Sequence, residues 1–77
     1  MHAAVISVLR DGKYVPLGRV WEDGRYEGDP EFKRTLAQSL NNTKAPQSGP
    51  GMLKRIFERF NNGYLSVTIS EEQAVEN

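Results

Sequence analysis

Apolar and polar residues alternate along residues 3–10, a run rich in Val, Ile and Leu. That period of two predicts a β-strand. Asp11-Gly12 follows. A type I′ turn needs positive φ at both central positions, and Asp-Gly accepts this at low cost, so the pair predicts a two-residue hairpin. Residues 13–22 suit a second strand that contains Pro16. Proline has no N–H to give to a ladder, which assigns Pro16 to an open edge or a bulge. Asp23-Gly24 predicts a second turn into a short third strand, residues 25–28.

The period then changes. Asp29 suits a helix N-cap, Pro30 the first helical position and Glu31 the positive end of the helix dipole. Phe32, Leu36 and Leu40 recur every four residues as one apolar stripe, and Asn41-Asn42 marks its end. Residues 43–51, TKAPQSGPG, hold two prolines and two glycines and read as a flexible loop. A second helix is predicted over 52–62. Met52, Leu53, Ile56, Phe57 and Phe60 share one face, with Lys54, Arg55, Glu58 and Arg59 on the other. Asn62-Gly63 is the stop signal, because Gly63 accepts a left-handed cap. From Tyr64 to Ser70 the alternation returns. Leu65, Val67 and Ile69 lie on one side of a strand, and Ser66, Thr68 and Ser70 on the other. The remaining residues, 71–77, are acidic and are expected to be disordered.

The order β-β-β-α-α-β defines an α+β fold in one small domain, residues 1–77. A three-stranded meander and a C-terminal strand form an antiparallel sheet, with two helices packed on one face. The pattern leaves open whether the last strand lies beside the first or the third. Two-residue loops fix a register. Leu9 then faces Tyr14, Val8 faces Val15, Ile6 faces Leu17 and Trp21 faces Tyr26. One face carries Ala4, Ile6, Val8, Val15, Leu17, Arg19, Trp21 and Tyr26 and is expected to meet the helices. The other carries Val5, Leu9, Tyr14, Pro16 and Val20, diluted by Ser7 and Gly18. For a solvated face this is apolar enough to suggest a partner surface for another protein or for a second copy, with a homodimer expected through this face or through the Pro16 edge.

Composition narrows the function classes. Ten basic and ten acidic residues cancel, so the chain lacks the charge of a strongly basic nucleic-acid binder and has little repulsion between copies. There is no cysteine, which removes disulfides, thiolate metal sites and a thiol nucleophile together, and a cytoplasmic location is expected. The first apolar run is short and has no basic segment before it, so neither a signal sequence nor a membrane span is expected.

Candidate chemistry is sparse. The single histidine, His2, has no partner spaced for acid–base work, and no His and carboxylate spacing suggests a metal. Asp11, Glu22, Asp23, Glu27 and Asp29 match turn and cap demands. Gly49-Pro50-Gly51 before a helix lacks the lysine and glycine spacing of a phosphate loop. No catalytic residue, metal or cofactor is therefore assigned. The expected function is a non-catalytic binding module acting by protein–protein contact or self-association through Val5, Leu9, Tyr14, Pro16 and Val20. The alternative is a nucleic-acid-binding accessory protein using the basic helix faces: Lys33, Arg34, Lys54, Arg55 and Arg59.

Overall fold

A computed structural model describes residues 1–71. The expected fold class is present. The elements are β1 (His2–Arg10), β2 (Lys13–Trp21), β3 (Tyr26–Gly28), α1 (Pro30–Asn42), α2 (Gly49–Phe60) and β4 (Leu65–Glu71). The four strands form one antiparallel sheet in the order β3-β2-β1-β4, so the last strand joins beside the first. The disorder expected for residues 71–77 falls outside the described residues from position 72 onward; Glu71 itself ends β4.

The two Asp-Gly turns differ in length, and that difference redistributes the side chains. At the first, Asp11 and Gly12 both have positive φ, 50° and 77°, as the two-residue hairpin requires. Leu9 faces Tyr14 and Val8 faces Val15, as expected. The register then slips by one, because Leu17 is an extra residue on β2. Ser7 faces Pro16 and Ile6 faces Gly18, not Leu17. Proline makes that slip inexpensive, since no ladder N–H is lost there. At the second turn only Gly24 takes positive φ, 95°. The Gly24 N–H donates to the Trp21 carbonyl, and the Trp21 N–H donates to the Arg25 carbonyl. The loop therefore has three residues, and Val20, not Trp21, faces Tyr26.

A slip of one residue turns a strand over. Val20 moves to the helix side, where it is 3% exposed and part of the core, so it leaves the open face to which the sequence assigned it. Arg19 and Trp21 move the other way, opposite Val5 and Ala3. Val15, expected in the core, is 43% exposed. Leu17 at the bulge and Tyr26 pack against the core only in part.

The core forms between the sheet's Ala4, Ile6, Val20 and Val67 and the helices' Phe32, Leu36, Leu40, Met52, Leu53, Ile56 and Phe60. Phe32 and Phe60 meet edge to face, with ring centroids 5.6 Å apart, and so tie α1 to α2. Asp29 caps α1 as expected, its carboxylate accepting from the Phe32 N–H at 2.8 Å. At the other end the Ala45 N–H reaches the Leu40 carbonyl and the Lys44 N–H reaches that of Asn41. That is a Schellman ending with Lys44 in the left-handed position at φ 53°. The connecting loop is shorter than 43–51, because α2 begins at Gly49. Pro50 sits in its first turn, where a missing N–H costs nothing. α2 ends at Phe60, two residues early, with Asn61 as its C-cap.

Candidate functional site

The sheet has two edges, and the sequence treats them differently. On one side β3 covers β2 only over Gly18–Val20 and the Asp29 N–H reaches the Leu17 carbonyl, so Lys13–Pro16 is bare. Pro16 and the bulge interrupt that stretch, which disfavours addition of another strand. On the other side β4 has no strand beyond it among the described residues. It contains no proline and no lysine.

The direction of each peptide group on β4 follows from the ladder. The Leu9 N–H donates to the Tyr64 carbonyl at 2.9 Å, and Val8 faces Leu65. Antiparallel pairing alternates, so Ser66, Thr68 and Ser70 turn their N–H and C=O groups toward β1. Leu65, Val67, Ile69 and Glu71 turn theirs outward. Two of these outward donors are already taken. The Leu65 N–H donates to Asn62 Oδ1 at 2.9 Å, and the Val67 N–H donates to Asn61 Oδ1 at 3.1 Å. The Leu65 carbonyl accepts from the N–H groups of Asn62 and Gly63. The two asparagines that end α2 thus fold back and blunt the first half of the edge. Val67 C=O and both groups of Ile69 and of Glu71 are left facing outward.

Beside this open half lies a groove of about 290 Å³, lined by His2, Glu22, Pro50, Leu53, Lys54, Phe57 and Ile69. Phe57, expected on the buried face of its helix, is 42% exposed here, and Ile69 is 39% exposed. α2 turns Met52, Leu53, Ile56 and Phe60 into the core, which leaves Phe57 on its flank over the groove. His2, at the rim of the groove, belongs to a small charge cluster. Glu71 accepts from the Met1 amine through one oxygen, and its other oxygen lies 3.1 Å from His2 Nδ1. The hydrogen bond from the amine holds the Glu71 carboxyl below its ordinary pKa and the amine above its own.

The residues singled out from the sequence are dispersed. Val5, Leu9, Tyr14 and Pro16 do share the open face of the sheet. The Tyr14 hydroxyl, however, is spent on the Gly63 carbonyl, where it anchors the turn into β4. On the same face Arg19 and Arg25 place their guanidinium carbons 5.7 and 5.0 Å from the Trp21 ring centroid. Arg25 is held there by Asp23, with Nε to Oδ2 at 2.8 Å. The Arg25 backbone N–H on Asp23, followed by that guanidinium, pulls the carboxyl below its usual range. Among the basic residues, Lys33 borders a small groove between α1 and the loop, whereas Lys54 borders the groove at β4. Arg34 and Arg59 are exposed and Arg55 is half-buried. No described contact joins these five residues into one patch.

Sequence reasoning missed the β4 site. Its signal was a terminal strand with neither proline nor lysine, followed on the helix side by an apolar residue, Phe57, in excess of what one buried stripe needs. Among the described residues, no group of three or more His, Asp or Glu is placed to hold a metal, and no helix is long and apolar enough to cross a membrane. Comparison with known proteins gives no identification: no family model, no curated protein and no solved structure matches the chain.

Proposed function

We propose that the protein is a non-catalytic binding module that takes a protein partner as an added strand on the open half of β4. One observation carries this reading: the outward N–H and C=O of Ile69 stand beside an apolar groove walled by Phe57 and Leu53. An extended segment pairs its backbone with Ile69 and lays one side chain against Phe57, the usual division of labour in strand addition. The bare edge has neither the proline nor the lysine that normally protect such a strand. The absence of cysteine supports a reducing compartment, the cytoplasm, as the place of action.

Capture from cell extract with paired baits tests the reading. Ile69→Pro removes the outward donor and leaves the bonds to β1 in place, because the Ile69 N–H points away from β1. Proteins bound by the native bait are expected to be lost from the Ile69→Pro bait and kept by Leu9→Ser, which alters the open sheet face. Equal capture by native and Ile69→Pro baits overturns the edge as the binding surface. Nuclease-sensitive capture that needs Lys54, Arg55 and Arg59 but not Ile69 would favour the nucleic-acid reading instead.

A further inference from the structure

We infer that the strand which fills this edge is β4 of a second copy, paired antiparallel about a two-fold axis through Ile69. The inference rests on the strand-addition reading above and names its occupant.

The outward groups left open form a self-complementary set. Each chain offers two donors, Ile69 N–H and Glu71 N–H, and three acceptors, Val67 C=O, Ile69 C=O and Glu71 C=O. In an antiparallel pair, residues that directly face each other exchange both hydrogen bonds. With Ile69 facing Ile69 of the second copy, those two residues exchange N–H to C=O bonds in both directions. Two positions away, the Glu71 N–H of each copy meets the Val67 C=O of the other. Four bonds form, and of the open groups only the Glu71 C=O of each copy is left unused. The second bond of that pair, Val67 N–H to Glu71 C=O, is not made, because Asn61 already holds the Val67 N–H. The asparagine turn also occupies the edge at Leu65, so the ladder ends where the symmetric pairing ends.

Side chains and charge agree with the backbone. Ile69 lies on the helix side of β4, so the two isoleucines meet across the axis between two exposed Phe57 rings. The pairing turns two four-stranded sheets into one of eight. Net charge is zero, so the copies approach without long-range repulsion. Four hydrogen bonds and a small apolar contact make a weak dimer, populated in the upper micromolar range.

Sedimentation equilibrium from about 10 µM to about 1 mM spans that range. The apparent mass is expected to rise from 8.7 kDa toward twice that value. Ile69→Pro is expected to abolish the rise with an unchanged circular dichroism spectrum. A second measurement does not depend on proline being tolerated. The chain has no cysteine, and directly facing hydrogen-bonded residues have Cα atoms about 5.5 Å apart, within disulfide reach. Ile69→Cys is therefore expected to oxidise to a covalent dimer. Thr68→Cys, displaced from the axis and on the other face, is not expected to do so. A monomer at every concentration overturns the second copy as occupant. If capture still depends on Ile69 in that case, the edge reading survives and only the occupant was wrong. A dimer that persists in Ile69→Pro, or that cross-links equally through Thr68→Cys, also overturns the inference.

Discussion

Gly18 and Tyr26 show how one residue type governs a whole strand pair. Gly18 faces Gly28 across β2 and β3, and the Tyr26 ring lies over it. A Cβ on Gly18 would stand 2.8 Å from Tyr26 Cε1 and 2.9 Å from Cζ, closer than real contacts allow. The Tyr26 hydroxyl also donates to the Asp29 carbonyl at 2.7 Å, so the ring cannot swing away without breaking the junction that starts α1. Burial is the first cause, and Asp29 the second, of a Tyr26 pKa above its ordinary value. Gly18→Ala is expected to lower unfolding free energy by about 1–3 kcal/mol, as overpacking does. Denaturant unfolding measures it, and pairing the change with Tyr26→Ala should recover part of the loss. Loss of the same size in the double variant would show that the ring is not the obstacle. Neither glycine stood out in the sequence, since the clash depends on a partner that the register slip brings into place.

At the scale of elements, the turn after α2 does two jobs. Asn61 caps the helix through its own N–H, which reaches the Phe57 carbonyl, and its side chain takes the outward N–H of Val67. The sequence marks Asn62-Gly63 as a helix stop, and a stop is found, but nothing in the pattern says that these amides turn back onto the following strand. Asn61→Ala is expected to cost about 1 kcal/mol, the worth of one hydrogen bond. It should also speed amide exchange at Val67 while leaving Ser66 and Thr68, which point toward β1, protected. Uniform exchange along β4 would contradict the assigned directions. β2 gives the complementary lesson. Pro16 at a bulge or open edge was legible, and both hold. The direction of the slip was not, because whether Leu17 or Gly18 faces Ile6 depends on Tyr26 and on the helices above.

For the whole molecule, a chain of 77 residues has little core to spare. Ile56, fully buried beside Ile6 and Met52, is at its centre. Ile56→Ala is expected to cost about 2–5 kcal/mol, against total stabilities of about 5–15 kcal/mol for small domains. At about 4–8 °C per kcal/mol for a chain of this size, the thermal midpoint should fall by at least about 8 °C. A drop under a few degrees would mean that the helices do not close on the sheet as described.

The amino-acid sequence by itself determined the six elements and their order, the Asp29 cap, the apolar stripe of α1, that of α2 apart from Phe57, and the first hairpin register from the turn as far as Val8 and Val15. These follow from neighbouring residues: turn chemistry, capping and hydrophobic period act within a few positions along the chain. Only the tertiary structure decided that β4 lies beside β1, that Val20 is core while Trp21 is not, and that Ile69 borders an open edge next to Phe57. Those outcomes depend on pairings between distant residues, where a slip of one position reverses every side chain, and on which backbone groups another element has already satisfied.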